Sequence, residues 1–214
     1  MILNMFKPKG WTSFDVVKKV RFITKEKKVG HAGTLDPFAE GVLILGTGKD
    51  TKRLTDISAS KKIYKAVLKL GVQTDSLDVD GNIVVKEEIP NILVNDIKRV
   101  LKSFLGDQLQ IPPMFSAKKV NGTRLYKLAR RNIEIKREPC KIHIDSIDLI
   151  DYIPPLVTLQ VTCSKGTYIR VLGSDIAEKL GTVGHLIKLT RLGIGNYIIN
   201  DAIRIEEFQE KWTS

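Results

Sequence analysis

Cysteine and histidine are scarce in this chain of 214 residues, and their scarcity removes several classes of protein at once. The two cysteines, Cys140 and Cys163, form no CxxC pair. Neither a disulfide framework nor a zinc site is therefore expected, and both read as small core or sheet residues. The three histidines, His31, His143 and His185, lack HxxxH spacing, so no metal centre is expected. Long apolar runs are missing too: none approaches the length of about 18 that spans a bilayer. Residues 1–6 are too short for the apolar part of a signal peptide, and a cytoplasmic chain is the resulting expectation. There is no internal repeat and no low-complexity tract. Negative charge is also short, with 24 Asp and Glu against 35 Lys and Arg, a net charge of +11. Such an excess implies a polyanionic partner, nucleic acid ahead of an anionic membrane surface.

What is present reads as one globular domain. Hydrophobic content of 43% and charged content of 28% are ordinary for a soluble chain, and the length buries a core without staples. Residues 2–6 form a short apolar strand candidate, closed by the turn Lys7-Pro8-Lys9-Gly10. Thr12 or Ser13 then caps a helix to about Thr24, with Phe14, Val17, Val20 and Ile23 at helical spacing. Residues 30–41 read as a glycine-bearing loop, 42–45 as a strand, 49–58 as a short helix and 62–70 as an alternating strand. Asp80-Gly81-Asn82 predicts a hairpin turn into a strand at 83–85. Residues 94–105 read as helix, 142–151 and 156–162 as paired strands around Pro154-Pro155, 168–180 as strand into helix, and 203–212 as a last helix. This irregular mixture predicts an α+β fold with a mixed sheet.

Two segments imitate ligand loops. Gly46-Thr47-Gly48-Lys49-Asp50-Thr51 resembles a phosphate loop but lacks the earlier glycine and places Asp50 where a hydroxyl is needed. Residues 76–87 imitate a calcium loop, but strand-like flanks stand where helices are required, which favours a polar turn.

Three other segments carry more chemistry. Gly30-His31-Ala32-Gly33-Thr34-Leu35-Asp36-Pro37 is a flexible-backbone loop with one carboxylate, Asp36, although an Asp before Pro is often only a turn residue. Tyr64 lies among Lys61, Lys62, Lys65 and Lys69, a composition suited to stacking a base on a phosphate-binding surface, or simply to sheet packing. Ser164-Lys165-Gly166-Thr167-Tyr168-Ile169-Arg170 offers an arginine for a carboxylate or phosphate, or for water at the surface. From 112 to 137, eight basic residues (Lys118, Lys119, Arg124, Lys127, Arg130, Arg131, Lys136, Arg137) accompany one acid, Glu134. This basic arm suits phosphate contacts.

Taken together these segments resemble the bacterial tRNA pseudouridine-55 synthases of the TruB family. The loop as far as Leu43 matches that family's catalytic motif. Lys7-Pro8-Lys9-Gly10, Tyr64-Lys65-Ala66, Gly71 to Asp78, Ile111 to Ala117 and Cys163 to Arg170 follow in the family's order, so the likeness covers roughly 2–197. The resemblance implies a single pseudouridine-synthase domain over 1–214, with a central, largely antiparallel mixed sheet flanked by helices and a T-arm-gripping insertion at about 112–137. It implies isomerisation of a flipped uridine without cofactor or metal, by a monomer acting on the tRNA T stem-loop.

By the same resemblance Asp36 is the catalytic carboxylate, as nucleophile or as base. Tyr64 stacks on the base, and Arg170 pairs with the aspartate. Tyr168 lines the site, His31 fills the space left by the flipped base, Lys7 and Pro8 support the site, and Leu189 forms part of its wall. Lys118, Arg124, Arg130 and Arg131 grip phosphates. Family members usually continue into a small C-terminal RNA-binding (PUA) domain. None is expected in these 214 residues, with weaker binding of whole tRNA as the consequence. A non-catalytic RNA-binding module and a synthase with another RNA target are the alternatives. A binder has no need of a carboxylate facing a polyanion, and the basic arm and His31 favour tRNA.

Overall fold

The computed structural model describes residues 1–120, 122–129, 131 and 133–213. The chain forms β1 (Ile2–Lys7), α1 (Ser13–Thr24), β2 (Val29–His31), β3 (Glu40–Thr47), a 3₁₀ turn (Gly48–Arg53), α2 (Leu54–Ala59) and β4 (Lys62–Leu70). Then come β5 (Val72–Thr74), β6 (Ile83–Lys86), α3 (Val94–Lys102), β7 (Gly106–Gln110), β8 (Lys119–Val120), β9 (Thr123–Arg124) and α4 (Leu125–Ala129). The remainder is β10 (Cys140–Ile153), β11 (Leu156–Cys163), α5 (Ile169–Lys179), β12 (Gly184–Ile194), β13 (Tyr197–Ile198) and α6 (Ile205–Thr213). The main sheet has nine strands in the order β1-β3-β12-β4-β11-β10-β7, with β2 on β3 and β13 on β12. Its β12–β3 pairing is parallel and its β1–β3, β10–β11 and β10–β7 pairings are antiparallel, so the mixed, helix-flanked α+β expectation is met.

Contacts group the chain into two compact units, Met1–Lys65 with Leu189–Ser214, and Ala66–Lys188. In the first, α1 begins where Thr12 and Asp15 satisfy each other. The Thr12 hydroxyl accepts from the Asp15 N–H at 3.1 Å, and the Asp15 carboxylate accepts from the Thr12 N–H at 2.9 Å. Such a box satisfies two of the helix's orphan donors. Val16, Val17, Val20 and Ile23 form the helix's buried stripe and pack with Leu43 and Leu45 of β3 and with Ile205 and Phe208 of α6. The alternate β3 residues Val42 and Ile44 pack with Ala32, Leu54 and Ile194, so β3 is buried on both faces. Strand β1 alternates, which directs Leu3, Met5 and then Lys7 inward.

In the second unit, Ile169, Leu172, Ile176 and Ala177 form the buried face of α5. A Cβ on Gly184 would stand 2.8 Å from that of Ala177, so β12 passes α5 at a distance only glycine permits. Several predicted boundaries move. The helix from Val94 stops at Lys102 rather than Leu105, where Ser103 turns out of α-geometry bonding. Tyr168 is not in a strand but is the residue on which α5 starts. The hairpin exists, yet its strands β5 and β6 are joined by the whole of 75–82 rather than by a tight turn, because Asp75 accepts from the Asn82 N–H at 3.0 Å. Strands β7 and β12 were not foreseen.

Candidate active site

The segment 32–39 between β2 and β3 is short and pinned at several points. Ala32, Leu35, Phe38 and Ala39 are buried, leaving Asp36 half-buried among apolar anchors. Ser13, at the start of α1, binds the loop twice: its hydroxyl accepts from the Leu35 N–H at 2.9 Å and donates to the Leu35 carbonyl at 3.2 Å. The Gly10 N–H donates to the Pro37 carbonyl at 2.8 Å, and the Ala39 N–H to that of Asp36 at 3.1 Å. Gly33 and Gly41 bracket the loop at φ +87° and +109°, conformations that tolerate no ordinary side chain.

Beneath this loop lie two cations with essentially no exposed surface. Lys7 donates to the carbonyls of Trp11 at 2.6 Å, Pro8 at 3.0 Å and Pro37 at 3.4 Å. Burial pushes its ammonium down from 10.5 to about 8. Asp36 opposes that shift, Arg191 adds to it, and Glu40 and Asp15 oppose it more weakly. Lys7 is therefore bonded to the loop at Pro37, with Pro8 and Trp11 supplying its other acceptors, and it offers no surface to a substrate. Arg191, from β12, donates to the carbonyls of Val42, Gly33 and Thr34. No property of its own segment marks Arg191 as different from any other arginine in a strand.

Other nominated residues of this unit are less exposed than their composition implied. Tyr64 lies on the inward row of β4 with Lys62 and Ala66 and is 8% exposed. Lys62, also buried, turns back onto the carbonyls of Ser58 at 2.5 Å and Ser60 at 2.7 Å, while Lys65 and Lys69 occupy the opposite face of the strand. His31 ends β2 half-buried, opposite Leu45. Leu189 is buried in β12, next to Thr190, which pairs with Glu40.

In the second unit Arg170 is a core residue, 3% exposed, which displaces the surface reading. It donates to the carbonyls of Ser76 and Phe115, each at 2.6 Å, and pairs with the Asp78 carboxylate at 3.3 Å. Asp78 is held in turn by the Ser76 hydroxyl at 2.6 Å and the Asp80 N–H at 3.1 Å. The polar turn that imitates a calcium loop thus supplies a carboxylate to a buried arginine. Tyr168 is half-buried, its backbone clamped on both sides by the Gln110 amide at 2.8 and 3.1 Å.

The basic arm contrasts with both. It is built from the β8–β9 hairpin and α4, and Lys119, Arg124, Lys127, Arg131 and Lys136 are exposed. Lys118 is half-buried with its ammonium on the Cys140 sulfur at 2.7 Å, and Arg137 pairs with Glu134 at 2.9 Å. Arg130 lies outside the described residues.

Comparison with known proteins assigns these features to a family. Residues 21–169 match the model of the TruB family pseudouridylate synthase, N-terminal domain. The tRNA pseudouridine synthase B of Clostridium kluyveri is 50% identical over 205 residues, covering 96% of this chain and 71% of that protein. Its counterpart in Clostridium acetobutylicum is 49% identical over 210 residues, with 98% and 72% coverage. Among solved structures, a Cbf5-Nop10-Gar1 complex contains a chain of similar fold, with a TM-score of 0.77 and 26% identity. The match takes in 98% of this chain, which spans about half of that one, 53%. The chain belongs to the TruB family of pseudouridylate synthases.

Proposed function

We propose that the protein is a cytoplasmic tRNA pseudouridine synthase that isomerises uridine 55 in the T loop, acting as a monomer without cofactor or metal. The observation that carries the reading is a single half-buried carboxylate, Asp36, on a loop fastened from below by buried cations, in a chain about half identical to synthases of that name. A binding module has no use for so constrained an acid. Among the described residues no helix is long and apolar enough to cross a membrane.

The reaction is an isomerisation, so bonds and protons balance within the nucleotide. The N1–C1′ bond breaks, the detached base turns, a C5–C1′ bond forms, and the proton on C5 is lost while N1 gains one. Asp36 acts on the ribose, either at C1′ as nucleophile or at C2′ as base. Tyr64 is proposed to face the base, and His31 to occupy its former place in the stack. The parts of Arg170, Tyr168 and Leu189 in the reaction rest on the family motifs they match. Flipping a base costs a few kcal/mol, which phosphate contacts from Arg124, Arg131 and their neighbours on the arm offset.

The test is tritium release from a T-arm hairpin labelled at uridine C5. Wild type should release label, and Asp36→Asn should lose at least about a hundredfold in rate. Binding without release by wild type would leave an RNA-binding module instead, and undiminished release by Asp36→Asn would remove the carboxylate from the mechanism.

A further inference from the structure

A loop bracketed by glycines in left-handed conformations keeps its shape only if something outside it imposes that shape. In the first unit Arg191 is placed to do so. Parallel pairing sets Thr190 opposite Glu40 and Arg191 opposite Gly41, at the point where the loop runs into β3. A Cβ on Gly41 would meet the Arg191 backbone, including its nitrogen at 2.9 Å, so the two strands sit at a separation that only glycine allows. The Arg191 side chain, 1% exposed, then runs under the loop. Its Nε donates to the Val42 carbonyl at 2.7 Å, Nη2 to that of Gly33 at 3.1 Å and Nη1 to that of Thr34 at 3.4 Å.

One rigid guanidinium therefore touches the backbone at both ends of the loop, two and three residues before Asp36 and just beyond Gly41. Because its donors lie in a fixed plane, it sets the spacing between those ends as well as bonding each of them. Its hydrogen-bond acceptors are carbonyl dipoles, so a full positive charge stays beneath the carboxylate's loop.

We propose that Arg191 is a positioning residue for Asp36, fixing where the carboxylate stands and holding positive charge below it without touching the RNA. The inference rests on the reading of Asp36 as the reacting group. A purely structural arginine would cost stability in proportion to its bonds. A positioning arginine costs turnover in molecules that remain folded, since misplacement by about 1 Å can lower a rate about a hundredfold.

Lys7 provides a second readout, independent of activity. The groups whose charge acts on its ammonium are Asp36, Arg191, Glu40 and Asp15. Removing the Arg191 charge should move the Lys7 titration to higher pH, and keeping a cation at 191 should leave it low.

The experiment compares Arg191→Gln and Arg191→Lys with wild type in the full chain. Melting, hairpin affinity and kcat and KM for label release are measured, and the Lys7 ammonium is followed by NMR titration. The expected result for Arg191→Gln, at a temperature where it is folded, is a kcat lower by about a hundredfold, with KM and affinity little changed. The Lys7 titration should move upward in the same variant. Arg191→Lys should recover part of kcat and restore the Lys7 titration, because it keeps the charge but not the planar fork. A loss of activity that tracks the unfolded fraction, a rise in KM alone, or an unmoved Lys7 titration would overturn the proposal. If Arg191→Gln does not fold, Arg191→Lys decides: reduced kcat with unchanged melting supports positioning, and wild-type kcat overturns it. If wild type releases no label, the assigned reaction falls, while the Lys7 titration still reports on Arg191.

Discussion

The Asp36 loop and the basic arm use the same residue types in opposite ways. Under the loop, Lys7 and Arg191 are buried and bonded to backbone carbonyls. On the arm, Arg124, Lys127 and Arg131 stand in solvent. A buried cation with several acceptors specifies where the backbone goes, because leaving it unpaired costs several kcal/mol. An exposed cation fixes nothing in the fold and adds long-range attraction that salt screens. The same arithmetic of charge thus divides into shape in one region and affinity in the other, and each half can be attacked separately.

The largest effect should come from removing a carboxylate paired with a buried cation. Arg170 has Asp78 at 3.3 Å, and both side chains are almost wholly buried. Asp78→Ala removes one compensating charge from the buried guanidinium, at a cost of up to about 3–5 kcal/mol. Urea unfolding should show it as a lowered midpoint. A midpoint within the scatter of wild type would mean that the other partners of Arg170 suffice.

A second test uses pH. Lys7 has its pKa lowered from 10.5 to about 8, so between those values the unfolded chain holds a proton that the folded chain has released. Stability therefore rises with pH through that window, by up to about 3 kcal/mol in all, and gains nothing from this group below about pH 8. Catalysis should move the other way, because the neutral amine has one hydrogen fewer for the carbonyls of Pro8, Trp11 and Pro37. Rates are expected to decline above about pH 8 while the melting temperature holds or climbs. Lys7→Met should abolish this contribution to the stability slope, and persistence of the slope in that variant would assign it to other groups.

How far the residues themselves disclosed this arrangement follows from the range of the interactions. The Thr12–Asp15 box, the β4 alternation and the glycine-bracketed loop are local patterns, legible over a few positions. Lys7 was legible in part: it continues the inward row of Leu3 and Met5, but at the end of a strand beside Pro8 a lysine reads as a turn charge. The cationic surroundings of Tyr64 were legible only in part, because its neighbouring lysines are adjacent along the chain but not by face, and alternation sends Lys65 and Lys69 away from it. Arg191 could not be told from a surface arginine, and Arg170 was set apart from one only by the motif it belongs to, since acceptors lie 149 positions from the first and 94 and 55 from the second. Burial of a cation is a property of the whole unit's packing. Strand β12 escaped notice for a related reason: its burial alternates from Lys188 to Gly193, but the inward row holds Arg191 and Gly193 while Leu192 lies on the other, so residue type does not follow the alternation.

The smallest effect on the fold, and the sharpest on the comparison, should come from the arm. Arg124 is exposed on β9, and replacing it with alanine should change stability by no more than about 0.5 kcal/mol. Its effect should appear in hairpin binding, where loss of one phosphate contact reduces the dependence of log affinity on log salt by about one unit of slope. kcat at saturating RNA should not change. Lys118 is the internal control, being half-buried with its ammonium on the Cys140 sulfur. A cation already engaged inside the protein must leave that partner to reach a phosphate, so Lys118→Ala should flatten the salt slope less than Arg124→Ala and lower the melting temperature more. Equal slopes from the two variants would show that position on the arm, rather than exposure, decides which cations meet the RNA.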